Sequence, residues 1–225
     1  MVVDSYHKEI GRKIIHIFAL GYLAVYFVFA LWYSHHVALL VLAGILAVQI
    51  ALEYIRLKLK LKIPLLSYLY NFRRHHEQNA LGGELYFLLG VLVSLTVFET
   101  VIAVAAVLMT VFGDMAAALV GSKYGRIRPS VFGGKKSLEG ASAGLLTNLV
   151  AGILFLRIAG AGSLWWQYFA QDVAAGLAGL QLWPVVIVMA LTASVVELTV
   201  PRINDNLTIP VISGFAGQIV LLLVG

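Results

Sequence analysis

Apolar residues run through this chain in seven long stretches separated by short polar ones. They are Ile14–Tyr33, Val37–Ile55, Leu81–Val97, Thr100–Val120, Gly140–Leu156, Leu182–Val200 and Leu207–Val224. Each is near the roughly 20 residues that a tilted helix needs to cross about 30 Å of hydrocarbon. The pattern predicts an all-α, polytopic transmembrane bundle of about seven spans, forming one membrane domain over residues 1–225. The third and fifth stretches are short, which suits little tilt or an end inside protein. Ser163–Leu180 carries Trp165, Trp166, Tyr168 and Asp172 and reads as an interfacial amphipathic segment with an aromatic belt. The first stretch lacks a small-residue cleavage site and is as long as a span, so it reads as a retained helix. No repeat of 20–50 residues and no inverted repeat of the transporter kind is visible.

The polar punctuation assigns sides. With the N-terminus cytoplasmic, 15 of the 16 Lys and Arg fall on the inner side, and only Arg157 falls outside. Most carboxylates also lie near inner helix ends: Glu9, Glu53, Glu77, Glu84, Asp114, Glu139, Glu197 and Asp205. The outer side has only Glu99 and Asp172. A transport path needs polar groups on both sides of the midplane, so this one-sided distribution favours a catalytic site on the cytoplasmic face.

Composition fits the same picture. The chain is 61% hydrophobic and 12% charged, with a mean hydropathy of +0.93. A soluble domain runs at about 45–50% apolar and about 25% charged, so the bilayer must solvate most of this surface. There is no cysteine, which excludes disulfides, thiolate metal sites and a thiol nucleophile. The net charge of +5 would suggest nucleic acid in a soluble protein. Here the cations lie between apolar segments, so orientation and anionic lipid or phosphate explain them and no nucleic-acid partner is expected. The cell membrane is the default location, and the sequence leaves the oligomeric state open.

Three segments concentrate the candidate chemistry. In the first, Gly113-Asp114 is followed by Ala117, Ala118, Gly121 and Gly125 at helical spacing, with Lys123 between the last two. The small residues suit close helix packing. An acid at that depth costs a few kcal/mol, about 2–3, unless a divalent cation or a base pairs with it. In the second, Gly133-Gly134-Lys135-Lys136-Ser137-Leu138-Glu139-Gly140 reads as a turn, two cations and a helix start, with Ser137 as N-cap. A helix N-terminus beside glycines and lysines can cradle phosphate, although the glycine spacing is not that of a Walker loop. In the third, Glu197 precedes Pro201, and Asp205-Asn206 lie on a tight turn before Pro210, which falls in about the first turn of the next helix. Near the N-terminus, Glu9, Arg12, Lys13 and His16 share helical spacing.

In these segments the sequence resembles the CTP-dependent lipid kinases: the dolichol kinase, phytol kinase and yeast-type diacylglycerol kinase group, in a superfamily with the membrane cytidylyltransferases. The shared pattern is Gly113-Asp114 with Ala117, Gly121 and Gly125; then Gly134-Lys135-Lys136-Ser137-Leu138-Glu139-Gly140; then Glu197 with Asp205-Asn206 and Pro210. Arg12-Lys13 with His16 also fits. The cytidylyltransferase signature near the C-terminus, Gly-Gly followed by Asp-Arg-x-Asp, is missing.

The resemblance implies transfer of the γ-phosphoryl group of CTP, or another nucleoside triphosphate, to the hydroxyl of a long-chain isoprenoid alcohol or a diradylglycerol. Asp114 and Asp205 are expected to bind Mg²⁺. Arg12, Lys123, Gly133, Gly134, Lys135, Lys136, Ser137 and Asn206 are expected at the nucleotide. Glu139 or Glu197 is expected to take the hydroxyl proton or hold a second metal. His16, Ala118 and Gly121 are expected beside the lipid. Two alternatives stay open at this point: a CTP:lipid-phosphate cytidylyltransferase making a CDP-activated lipid, and a non-enzymatic transporter of lipid or solute.

Overall fold

The computed structural model describes residues 20–59, 80–129, 136–160, 183–199 and 204–224. The described residues form seven α-helices, one within or across each apolar stretch. They are α1 (Gly21–Trp32), α2 (His35–Tyr54), α3 (Gly83–Val97), α4 (Thr100–Tyr124), α5 (Leu138–Gly160), α6 (Trp183–Thr199) and α7 (Asp205–Val224). A π-helical turn, Ile55–Leu59, continues α2. No strand occurs among the described residues. The segment expected at the membrane interface, Ser163–Leu180, lies outside them.

Four helical segments are long and apolar enough to cross a membrane: His35–Lys58, Thr100–Tyr124, Leu138–Phe155 and Asp205–Val224. The other three helices are shorter and apolar. The outward faces are apolar as well. On α6, Ile187, Leu191 and Val195 recur every four residues and stand exposed. Leu146, Val150 and Leu154 do the same on α5. An i, i+4 stripe of exposed aliphatic side chains on helices this apolar is the surface of a membrane protein, with lipid as its solvent.

The chain divides into two compact units, Met1–Leu92 and Val93–Gly225, with the boundary inside α3. In the first unit α1 and α2 form an antiparallel hairpin. Ser34 caps α2 by accepting the Val37 N–H at 3.2 Å. The fully buried Tyr26 meets His35 across the turn, hydroxyl to Nδ1 at 2.7 Å. Further along, the Gln49 amide donates to the Tyr22 hydroxyl. At the end of α2, Glu53 is only 5% exposed. The Arg56 guanidinium lies 2.5 Å from its carboxylate and also reaches the Ala80 carbonyl at 2.6 Å. A carboxylate buried in an apolar unit needs such a cation.

In the second unit α4 packs against α5, α6 and α7 and forms the middle of the bundle. Its residues Val101–Val107 are buried on every side, as expected of a helix that is apolar all round. Glycines and alanines set the crossing with α5. Gly113, Ala117, Gly121 and Gly125 on α4 face Ser137, Gly140, Gly144 and Asn148 on α5 in antiparallel register. A Cβ on Gly140 would sit 2.6 Å from the Ala117 carbonyl oxygen and 3.0 Å from the Gly121 Cα. Only glycine permits two backbones to approach so closely. Hydroxyls inside the bundle bond back along their own helices: Thr110 to Ala106 O and Ser213 to Ile209 O, both at 2.7 Å.

Two of the helix boundaries that differ from the sequence reading bear on the site. α4 runs on to Tyr124, four residues past the apolar stretch, because Gly121 and its neighbours still pack on α5. Pro210 is the sixth residue of α7, a turn deeper than expected. Asn204 starts the helix early by accepting the Asn206 N–H on its side-chain oxygen at 3.1 Å.

Candidate active site

The site is built from three helix ends. Ser137 is the N-cap of α5: its hydroxyl accepts the Gly140 N–H at 3.1 Å, and it is 4% exposed. The cap fixes the backbone directly after Lys136. From there the Lys136 side chain crosses to the end of α6 and the start of α7. Its ammonium lies 2.8 Å from Asp205 Oδ2, donates to the Glu197 backbone carbonyl, and lies 4.0 Å from Glu197 Oε1.

Each partner suits its place. Glu197 lies in the last turn of α6, where carbonyls lack intrahelical donors and a cation is favourable. Asp205 is the first residue of α7, where a carboxylate is favoured by the helix dipole. Lys136 and Asp205 keep 30% and 28% side-chain exposure, and Glu197 keeps 10%. Solutes can therefore reach the lysine and the aspartate, while the glutamate is set deeper.

The α4–α5 crossing backs this cluster. A methyl group on Gly144 would lie 3.5 Å from Glu197 Oε2, 3.2 Å from the Ala117 Cβ and 3.3 Å from the Gly113 carbonyl. The carboxylate of Glu197 thus rests over Gly144, beside the turn of α4 that carries Asp114. Asp114 is half-buried and follows Gly113 on that turn. Ala118 is half-buried four residues later. Gly121 is occupied by packing: a Cβ there would lie 3.0 Å from the Ser137 hydroxyl and 3.5 Å from the Gly140 Cα.

Glu139 is engaged elsewhere. Its carboxylate accepts the backbone N–H groups of Arg126 and Ile127, each at 3.1 Å. The Leu138 N–H donates to Ile127 O at 2.9 Å, so the segment after α4 is clamped to the start of α5. Lys123, Tyr124, Gly125, Arg126 and Glu139 line an open groove of about 460 Å³. Lys123 lies over the Tyr124 ring, 5.1 Å from its centroid. Asn206 is on the first turn of α7, next to Asp205. Arg12, His16, Gly133, Gly134 and Lys135 lie outside the described residues.

Among the described residues no three His, Asp or Glu side chains gather as a ready metal cage. Mg²⁺ does not need one: it commonly uses one or two carboxylates and completes its shell with water and substrate phosphate. The Lys136 ammonium, held between Asp205 and Glu197, shows that this place accommodates a cation. The donor set therefore fits a nucleotide-borne Mg²⁺.

One polar pair was not anticipated from the sequence. Asn148 is 1% exposed and donates to Ser194 Oγ at 3.3 Å, tying α5 to α6. Its Oδ1 has no hydrogen-bond partner among the described residues and is packed on Gly113. Ser194 is three residues before Glu197, on the same side of α6. The available signal was the four-residue repeat Gly140, Gly144, Asn148, Gly152, which places an amide on the glycine stripe of α5.

Comparisons with known proteins agree on one family. No family model and no solved structure matches the chain. The CTP-dependent diacylglycerol kinase 1 of Schizosaccharomyces pombe is 32% identical over 158 residues, covering 67% of each chain. The phytol kinase of a Synechocystis species is 31% identical over 177 residues, covering 77% of this chain and 70% of its own. With a helical membrane architecture and two such relatives, the chain belongs to the CTP-dependent lipid kinase family.

Proposed function

We propose that this protein transfers the γ-phosphoryl group of CTP to the hydroxyl of a long-chain lipid alcohol, either an isoprenoid alcohol or a diradylglycerol. The observation that carries the reading is the meeting of Lys136, Asp205 and Glu197 at the ends of α5, α6 and α7. Phosphoryl transfer asks the protein for charge neutralisation and alignment more than for covalent chemistry. A lysine, a half-buried carboxylate and a deeper carboxylate are suited to those tasks.

In this reading Lys136, with Lys135, Gly133 and Gly134 before it, holds the triphosphate at the start of α5. Asp205 and Asp114 would hold Mg²⁺, which when bound would neutralise the charge that builds on the leaving nucleotide. Asn206 orients Asp205 or meets the nucleotide. Glu197 accepts the proton of the lipid hydroxyl. The hydroxyl oxygen then forms a bond to the γ-phosphorus as the bond to the β-bridging oxygen breaks. CDP leaves, and the lipid carries the phosphate. Glu197 is favoured over Glu139 as proton acceptor because two backbone amides already hold the Glu139 carboxylate. Glu139 instead joins Lys123 in the groove beside the site.

The lipid tail stays among the apolar helices with its hydroxyl at the boundary. The uneven distribution of Lys and Arg supports a cytoplasmic N-terminus and a cytoplasmic active site. The test is a proteoliposome assay with CTP labelled at either the α or the γ phosphorus, using diacylglycerol and phytol as acceptors. Label from the γ position is expected in the lipid extract. Label from the α position, or none from either, would reject the proposal.

A further inference from the structure

We infer that Lys136 is an exchangeable internal cation, which holds Asp205 in the nucleotide-free protein and leaves it for phosphate when a divalent metal and nucleotide arrive together. The inference rests on the kinase reading above and assigns that site its regulation: the lysine suppresses metal binding until nucleotide is present.

The geometry points this way in three steps. First, the partners of the ammonium among the described residues are oxygen atoms: Asp205 Oδ2 at 2.8 Å, the Glu197 backbone carbonyl, and Glu197 Oε1 at 4.0 Å. Oxygen donors of this kind, two of them carboxylates, are what a hard divalent cation also seeks. A metal approaching Asp205 must compete with a charge already in contact.

Second, the contact can be broken without unfolding anything. Lys136 and Asp205 are nearly a third exposed, so both can be resolvated. The lysine is also outside the helix, because the cap at Ser137 fixes the chain immediately after it. Rotation about its flexible four-carbon stem moves the charge while α5 stays in place. A permanent latch would favour arginine, whose planar fork holds a carboxylate at two points.

Third, the exchange satisfies every charged group. The ammonium moves from carboxylate to phosphate as the carboxylate moves from ammonium to metal. Neither half is favourable alone, since nucleotide without metal draws the ammonium away from Asp205, and metal without nucleotide takes Asp205 from the ammonium. Metal and nucleotide should therefore bind with positive coupling, and coupling of this kind typically amounts to about 5–150-fold. A lysine that only caps the end of α6 would leave the metal affinity of the nucleotide-free protein unchanged when it is removed.

Mn²⁺ binding to the detergent-purified full chain tests this by electron paramagnetic resonance, which reads free metal without turnover. For the unsubstituted protein, Mn²⁺ alone should bind weakly and tighten about tenfold or more when CTP is added, beyond the Mn²⁺ that CTP alone holds in a protein-free control. Lys136→Met should bind Mn²⁺ alone about tenfold or more tightly than the unsubstituted protein and gain little from CTP. Asp205→Asn added to Lys136→Met should abolish the gain. Equal or weaker Mn²⁺ binding by Lys136→Met overturns the inference, as does a gain that survives Asp205→Asn. Lys136→Gln, which keeps a donor for Asp205, provides the same comparison if Lys136→Met does not fold. The γ-phosphoryl assay on the same preparation separates the two ideas. Absence of transfer by the unsubstituted protein rejects the kinase reading, whereas transfer without the Mn²⁺ difference rejects only the exchange.

Discussion

Replacing Gly140 by alanine isolates the contribution of the α4–α5 crossing. The added carbon would lie 2.6 Å from the Ala117 carbonyl oxygen, 3.0 Å from the Gly121 Cα and 3.1 Å from the Ser137 hydroxyl. The closest comfortable carbon–oxygen approach is about 3.3 Å, so α5 must retreat from α4 by about 0.7 Å. The two closest of these three groups are backbone and cannot rotate away. Overpacking of this kind costs about 1–3 kcal/mol. Alanine returns up to about 1 kcal/mol through its better helix propensity, leaving a net loss of about 1 kcal/mol. The effect on turnover should be larger, because Lys136 is attached to the end of α5 that moves. A misplacement of about 1 Å at a reacting centre can cost about 100-fold in rate. Gly44→Ala is the control: nothing lies within 4 Å of a Cβ there, so the propensity gain stands alone. Thermal denaturation in detergent and γ-phosphoryl transfer should separate the variants, with Gly140→Ala less stable and far less active. If Gly140→Ala melts with Gly44→Ala and keeps full turnover, the close crossing does not position the site.

Other substitutions probe individual side chains. Asp205→Asn should lower turnover by about 100-fold or more while the protein still inserts and folds, since the lost group acts on charge that develops during reaction; near-normal turnover removes Asp205 from the chemistry. Glu139→Gln keeps an oxygen for the Arg126 and Ile127 amides and should retain most activity, whereas Glu139→Ala should not. Equal inactivation by both would make Glu139 a chemical participant rather than a clamp. Ser194→Ala takes away the acceptor of the buried Asn148 amide and should destabilise by about 1–3 kcal/mol, read as a lower melting temperature. An unchanged melting temperature would show that this bond contributes nothing.

The helices were legible because their signal is local. Seven apolar stretches correspond to seven helices, and the cap at Ser137 followed from residue type and position. Pairings across the fold were not legible. Lys136 and Asp205 are 69 residues apart, and nothing in the sequence separated Lys136 from its neighbour Lys135. Glu139 and Glu197 looked equivalent until the backbone amides of Arg126 and Ile127 claimed the first. The small residues of α4 were read around Asp114 as one face. The structure gives that face a partner, turning Gly113, Ala117, Gly121 and Gly125 toward α5. Asn148 escaped notice because an isolated amide in an apolar stretch has no partner until α6 is placed.

The same crossing bears on how the chain is assembled during synthesis. α4 is strongly apolar, with a mean hydropathy of 2.1 in its best window, and α5 is milder at 1.5. A translocating ribosome delivers α4 first, and it can partition into lipid unaided. α5 follows with Asn148 and a row of glycines that hydrocarbon solvates poorly, but α4 is already waiting as a template. The order of genes-to-membrane delivery thus matches the order in which each segment becomes soluble in its surroundings. A circularly permuted chain that releases α5 ahead of α4 would lose this advantage at the insertion step, before any substrate is met.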